Sequence, residues 1–205
     1  ITNVYHVLFD DSQISPSAPE RSQDVLLRVT NYVGASDSLI INDQITVSRK
    51  LLLDADRITI ATNEPDAESV AGGIAITAPG IIWVNSAPRV QFFTNNGTFS
   101  AVNTVFFGGL ANSPYDPVGT RPYQVFENTG TITNFSSQIQ ANLFENIGGS
   151  VVSYGGNLTL ESQTAILTNG YFLATNNSVS ITADALQVSN EVVQAGGSLN
   201  IQATT

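Results

Sequence analysis

The chain has no cysteine and no methionine, one histidine, one tryptophan, and only 7 Lys and Arg among 205 residues. Each scarcity excludes some chemistry. Without cysteine there is no disulfide, no thiolate metal site and no cysteine nucleophile. His6 is the only histidine, so a multi-histidine metal centre cannot form and a catalytic triad is not expected. Seventeen Asp and Glu leave a net charge of −10, and no Lys or Arg follows Arg121. Nucleic acid and anionic membrane both require clustered bases, so neither is expected as a partner. No apolar run approaches the roughly 20 residues of a spanning helix. The chain starts at Ile1 without a signal peptide. With so little lysine, the expectation is an extracellular or cell-surface protein seen after processing, or an excised fragment.

Charged residues make up only 12% of the chain and hydrophobic ones 42%, too apolar a balance for disorder. The polar load falls on Asn, Thr, Ser, Gln and Gly, which suit turns and exposed strand faces better than helix interiors. An all-β fold is expected. Its pattern is clearest after Val125, where two phrases recur. The first is Gln138-Ile139-Gln140-Ala141, Leu158-Thr159-Leu160-Glu161, Val179-Ser180-Ile181-Thr182 and Leu199-Asn200-Ile201-Gln202. Ile139, Leu160, Ile181 and Ile201 stand 21, 21 and 20 residues apart. The second, apolar-x-Asn, ends on Asn128, Asn146, Asn169 and Asn190, with steps of 18, 23 and 21. Two patterns in step at one period predict a solenoid, a parallel β-helix over residues 25–205. A sandwich also shows short strands, but gives no reason for such coupling.

In each phrase the period-2 alternation puts Leu and Ile inward and Thr and Ser outward. Stacked coils would lay each inward residue on its counterpart, making aliphatic ladders. The four asparagines are expected at corners, where Asn tolerates left-handed backbone, with their amides bonded along the axis. Earlier strands follow at short intervals; Ile60 and Ile76, 16 residues apart, suggest an irregular coil. Phe93-Thr94-Asn95 already matches Phe126-Glu127-Asn128, 33 residues on, with a Pro-rich insertion at 109–123 between them. Residues 1–24 read as a strand carrying Val4, Tyr5, Val7 and Phe9 on a Pro-containing arm. That arm either caps its own solenoid or adds to the edge of another subunit.

Asn128-Thr129-Gly130-Thr131-Ile132, Gly156-Asn157-Leu158-Thr159-Leu160 and Gly197-Ser198-Leu199-Asn200-Ile201 carry a family likeness. They resemble the right-handed parallel β-helix repeats of filamentous haemagglutinin-like bacterial surface proteins. The likeness covers about Gln91–Ala203 and lacks that family's Asn-Pro-Asn secretion signature. It implies an exported, rod-like, non-enzymatic surface or fibre protein, and no particular ligand.

Four groups of residues invite chemistry. Glu127 and Glu145 hold the same place in consecutive Phe-Glu-Asn phrases, which would set two carboxylates near 5 Å apart, as in retaining glycosidases or a calcium site. The plainer reading is two exposed turn residues, since the Arg, Lys and His that β-helix carbohydrate enzymes use are missing from this half. Asp54, Asp56, Glu64, Asp66 and Glu68 are suitable calcium ligands but lack a calcium-loop pattern. No cofactor is expected, and calcium is the one ion weighed. Tyr115, Arg121 and Tyr123, at the insertion, suit recognition of a surface glycan. Trp83 reads as a core aromatic. Asn96, Asn134, Asn157 and Asn176 open glycosylation sequons.

After Ala203-Thr204-Thr205 no cap is evident, and solenoid ends usually need one. The leading expectation is therefore a head-to-tail homopolymer, each arm completing its neighbour. An adhesin binding glycan through the 109–123 loop is the alternative, and a carbohydrate-active enzyme a third.

Overall fold

The computed structural model describes residues 24–28, 38–41, 44–47, 50–54, 57–60, 73–76, 81–84, 92–108 and 122–205. All of its regular structure is β. The first strands are β1 (Asp24–Arg28), β2 (Ser38–Ile41), β3 (Gln44–Val47), β4 (Lys50–Asp54), β5 (Arg57–Ile60), β6 (Gly73–Ile76) and β7 (Ile81–Val84). Next come β8 (Phe92–Asn95), β9 (Thr98–Phe107), β10 (Tyr123–Asn128), β11 (Thr131–Ile147), β12 (Ser150–Ser153) and β13 (Leu158–Thr168). The last are β14 (Tyr171–Ala174), β15 (Val179–Ser189), β16 (Val192–Ala195) and β17 (Leu199–Ala203).

Every pairing among the described strands is parallel, and all but that of β1 with β4 fall into three columns. The first runs β2, β5, β8, β10, then the ends of β11, β13 and β15. The second runs β3, β6, the starts of β9 and β11, then β12, β14 and β16. The third runs β7, the end of β9, the middle of β11, the starts of β13 and β15, and β17. Strand β1 pairs with β4. The chain is thus a three-sided β-solenoid, about 4 turns of it in the continuous stretch to the C-terminal coil. Parallel strands need a crossover between them, and here that crossover is the rest of the coil. A sandwich of hairpins is excluded.

The strands are long where the alternation carries through a corner. β11 spans 17 residues and serves all three columns. Its inward positions, Ile132, Ile139, Ala141 and Phe144, are fully or almost fully buried. The expected ladder is present as written: Ile139 pairs with Leu160, Leu160 with Ile181, and Ile181 with Ile201. A second ladder stacks Phe99, Ile132, Val151 and Phe172. Aromatic rings fill the axis, with Phe93 stacked on Phe126 at 4.9 Å and Phe126 on Phe144 at 5.3 Å. Ring on ring gives way at Phe144, whose register partner is Ala165 and whose ring meets Phe172 edge-on at 5.9 Å.

The 33-residue match also holds. Phe93 pairs with Phe126, Asn95 with Asn128, and Phe99 with Ile132, so the extra length enters between Gly108 and Pro122 without disturbing the columns. The insertion itself lies outside the described residues, as do Asp56, Glu64, Asp66 and Glu68. The Ile60-to-Ile76 step does not measure a coil. Ile60 stands in the first column over Asn95, and Ile76 in the second over Ala101. Apolar alternation looks alike on every side of a solenoid, so a side-to-side distance mimics a turn.

The ladders should show in stability. Leu160→Ala removes a rung of zero exposure and is expected to cost about 2–5 kcal/mol in denaturant unfolding. Ile201→Ala, on the last coil at 44% exposure, should cost less than about 1 kcal/mol. Equal losses would contradict the stacking.

Candidate functional site

The apolar-x-Asn phrase builds two ladders where the sequence suggested one. Asn128 pairs with Asn146 and with Asn95, and all three lie inside the coil at zero exposure. Asn146, however, pairs with Leu167, because the 23-residue step to Asn169 carries two residues more than the 21 that separate Asn146 from Leu167. Asn169 and Asn190 are displaced to the next corner. There they are exposed and left-handed, with φ of 57° and 51°, beyond Gly148 at 70°. Both rows bond along the axis, Asn190 Nδ2 donating to Asn169 Oδ1 at 2.8 Å, but only the exposed row has the left-handed corner backbone.

The buried ladder has a direction. Asn95 Nδ2 donates to Asn128 Oδ1 at 2.7 Å, and Asn128 Nδ2 to Asn146 Oδ1 at 2.7 Å. Asn146 Nδ2 then donates to the Glu191 carboxylate at 2.6 Å. Each amide presents its oxygen toward the N-terminal coils and its NH2 toward the C-terminal ones. A carboxylate, which only accepts, is the chemically suitable terminator for such a row. Glu191 also accepts from the Gly170 N–H at 2.5 Å. No sequence pattern marks it, since it reaches Asn146 from 45 residues away.

Glycines make room for this arrangement. Thr131 N–H donates to the Gly97 carbonyl, Ser150 to Gly130, Tyr171 to Gly149 and Val192 to Gly170, which aligns four glycines along one corner. A Cβ at Gly130 would lie 2.1 Å from the Gly97 carbonyl oxygen, and one at Gly170 would lie 2.1 Å from that of Gly149. Coils cannot approach at the normal strand spacing with a side chain there.

Glu127 and Glu145 are register partners on the outer side of the first column, as the phrases predicted. Thr94 Oγ1 donates to Glu127 at 3.3 Å. The next residues in that column are Ile166 and Gln187, in place of the expected Thr168 and Ser189, for the same displacement. The pair therefore stands without a third carboxylate. Among the described residues no three His, Cys, Asp or Glu side chains gather as a metal site.

Of the expected binding loop, Tyr115 and Arg121 lie outside the described residues. Tyr123 requires a correction. It opens β10 at zero exposure, stacked on Phe93 with centroids 5.8 Å apart and hydrogen-bonded to the Gly108 backbone. Burial pushes its hydroxyl pKa above the ordinary value. It is a core aromatic closing the base of the insertion: the alternation inward at Phe126 and Asn128 breaks before it, and Tyr123 faces in over buried Ala141 of the next coil. Among the sequons, Asn134 is also buried, donating to Ser137 Oγ at 3.0 Å, and is closed to modification. The arm residues Val4, Tyr5, Val7 and Phe9 lie outside the described residues.

The last coil differs from the inner ones. Leu199 and Ile201 continue the columns of Leu158–Val179 and Leu160–Ile181, which have zero exposure, yet they are 49% and 44% exposed. Val188 and Val192 are exposed on the same coil. No family model, curated protein or solved structure matches the chain, so the haemagglutinin-like resemblance rests on the repeat phrases alone. No helix among the described residues is long and apolar enough to cross a membrane.

Two measurements probe the buried ladder. Asn128→Ala orphans a donor on Asn95 and an acceptor on Asn146, and should cost about 2–4 kcal/mol; Asn190→Ala, in the same phrase but exposed, should cost about 1 kcal/mol. The second concerns Glu191. Burial raises its pKa above the ordinary 4.5, while the Asn146 amide and the Gly170 N–H pull it back. In the window between the unfolded and folded values the native state holds the extra proton. Its favourable contribution is complete below the unfolded value and lost as pH rises through the folded one. Denaturation at a series of pH values should therefore show Glu191→Gln gaining on the parent protein as pH rises through that window. A pH-independent difference would contradict this account.

Proposed function

We propose that the chain is a non-enzymatic structural protein of the cell exterior, whose coils continue from one copy to the next to build a fibre or sheath. The observation that carries this reading is the last coil. Leu199 and Ile201 occupy positions that are fully buried one coil earlier, and β16 and β17 each pair on one side only. Another coil placed there would bury the two ladders and satisfy the free backbone groups.

The columns favour a copy of the same chain as the source of that coil. Among the described residues every strand pairs parallel, and the first column runs back to β2. A copy translated along the axis would therefore present an edge of matching direction. Such a contact is heterologous and does not close, which is the geometry of a filament. In this reading residues 1–24, with Val4, Tyr5, Val7 and Phe9, add a strand to the neighbour. What supports a structural role over a catalytic one is the chemistry of the regular half. Its one stacked carboxylate pair, Glu127 and Glu145, has no Lys, Arg or His in any coil after Arg121 to work with.

Sedimentation and negative-stain microscopy over a concentration series test the reading. The chain should form rods that lengthen with concentration. The Leu199→Lys/Ile201→Lys variant should remain short, and deletion of residues 1–24 should shorten the rods. Monomers at every concentration would overturn it, and would leave a further segment of one longer polypeptide as the natural cover for the last coil.

A further inference from the structure

One corner of the solenoid carries a line of glycines that the last coil breaks. Thr98 pairs with Thr131, Thr131 with Ser150, Ser150 with Tyr171 and Tyr171 with Val192. The residues just before them therefore form one row: Gly97, Gly130, Gly149, Gly170 and then Glu191. A Cβ at Gly170 would lie 2.9 Å from Asn146 Nδ2 and 3.1 Å from Glu191 Oε2. The glycine's missing side chain is what lets the carboxylate reach Asn146.

Gly149 and Gly170, each with a further coil over it, are buried. Glu191 holds the same place at the open end and is only partly buried, since β16 pairs with β14 alone among the described residues. A charge thus stands at a position that the two preceding coils bury. The end around it is apolar, with Val188, Val192, Leu199 and Ile201 exposed. An inward-pointing charge on such an edge is a device that resists further pairing. Covering the carboxylate strips its water, and no Lys or Arg after Arg121 is at hand to offset the loss.

The elements packed against Glu191 add no charge to it. Asn146 on β11, Asn169 and Gly170 at the corner, and Asn190 after β15 are neutral. Glu145 lies on the outward alternation of β11, and Asp184 sits at the preceding corner of β15. Tyr171 on β14, its ring outward, is the other titratable side chain of these elements among the described residues. Desolvation accordingly leads, raising the pKa of Glu191 while the Asn146 amide and the Gly170 N–H pull it back.

We propose that Glu191 is an acid-sensitive gate on the open end: its charged carboxylate holds off a further coil, and protonation admits one. Both oxygens can still accept from Asn146 and Gly170 after protonation, and the added O–H can donate to a carbonyl of the covering coil. The covered state desolvates the group further and so binds the proton more tightly than the open one. Acid therefore favours covering, and between the two pKa values each pH unit changes the assembly constant by up to about tenfold.

The proposal rests on the end-to-end reading, and a pH series on the full chain separates the two. Sedimentation from about pH 8 to about pH 5 gives the concentration at which rods form, across the range of a raised carboxylate. For the parent that concentration should fall by about tenfold or more. Glu191→Gln should form rods at neutral pH at the parent's acid concentration, and its dependence on pH should be lost. Glu191→Gly, which restores the corner glycine, should do the same and decides the matter if the Gln variant fails to fold by circular dichroism. Glu161→Gln removes one charge from the third side and should keep the parent's behaviour. The same pH dependence in the parent and in both Glu191 variants overturns the gate and leaves the end-to-end reading standing. So does an equal shift in Glu161→Gln, which would make net charge the cause. Rods that shorten on acidification overturn it too, and would assign Glu191 to an ion pair across the junction. An absence of rods at every pH, in parent and variants alike, ends both the reading and the gate.

Discussion

The parallel backbone pairing between successive coils is the constraint on which everything else in this protein depends. It fixes the coil-to-coil distance at one strand spacing and, through register, places each residue on its counterpart in the next turn. Once that is so, one residue choice is repeated down the molecule. An inward Leu becomes a ladder of Leu and Ile, a phenyl ring a stack of rings, a corner glycine a line of glycines. The chain has no cysteine with which to cross-link its coils. Cohesion comes from backbone hydrogen bonds and apolar burial, which each added coil extends by a similar amount.

The same constraint gives the buried asparagines their polarity. Asn95, Asn128 and Asn146 could not donate to one another in one sense unless register held their side chains in line. An aligned row of amides must start on an acceptor and finish on a donor. The finish is met by Glu191. At the start, Asn95 Oδ1 has no hydrogen-bond partner, and its residue stands over Ile60 in the next coil. Polar ladder and apolar ladder thus exchange places within one column, Ile60 preceding the asparagines and Leu167 succeeding them. The exchange is tolerated because each rung satisfies its neighbour, while the ends alone meet a different environment.

Much of this was legible in the repeat. The stacking of Ile139, Leu160, Ile181 and Ile201, the pairing of Glu127 with Glu145, and the insertion after Gly108 could all be read from spacing. Spacing failed where a coil changed length. The two extra residues before Asn169 moved that asparagine to a different corner and put Ile166 where Thr168 was expected. It failed again at Tyr123, whose neighbours Pro122 and Arg121 suggested a loop and whose parity opposes that of Phe126, yet a break in the alternation turns it into the core over Ala141. Glu191 was invisible for another reason. A carboxylate that crosses two coils to reach Asn146 leaves no local pattern.

The sequence by itself determined the class of fold and the identity of the ladders, because a repeated phrase with period-2 alternation admits few structures other than stacked coils. It also determined what chemistry the regular half lacks, since residues absent from a chain are absent from its every conformation. Only the tertiary structure decided which asparagines are buried and which exposed, where Glu191 ends its row, and that Tyr123 faces the core. Those properties depend on which turn of the chain faces which corner. That is set by the sum of all preceding coil lengths, a quantity that no single phrase contains.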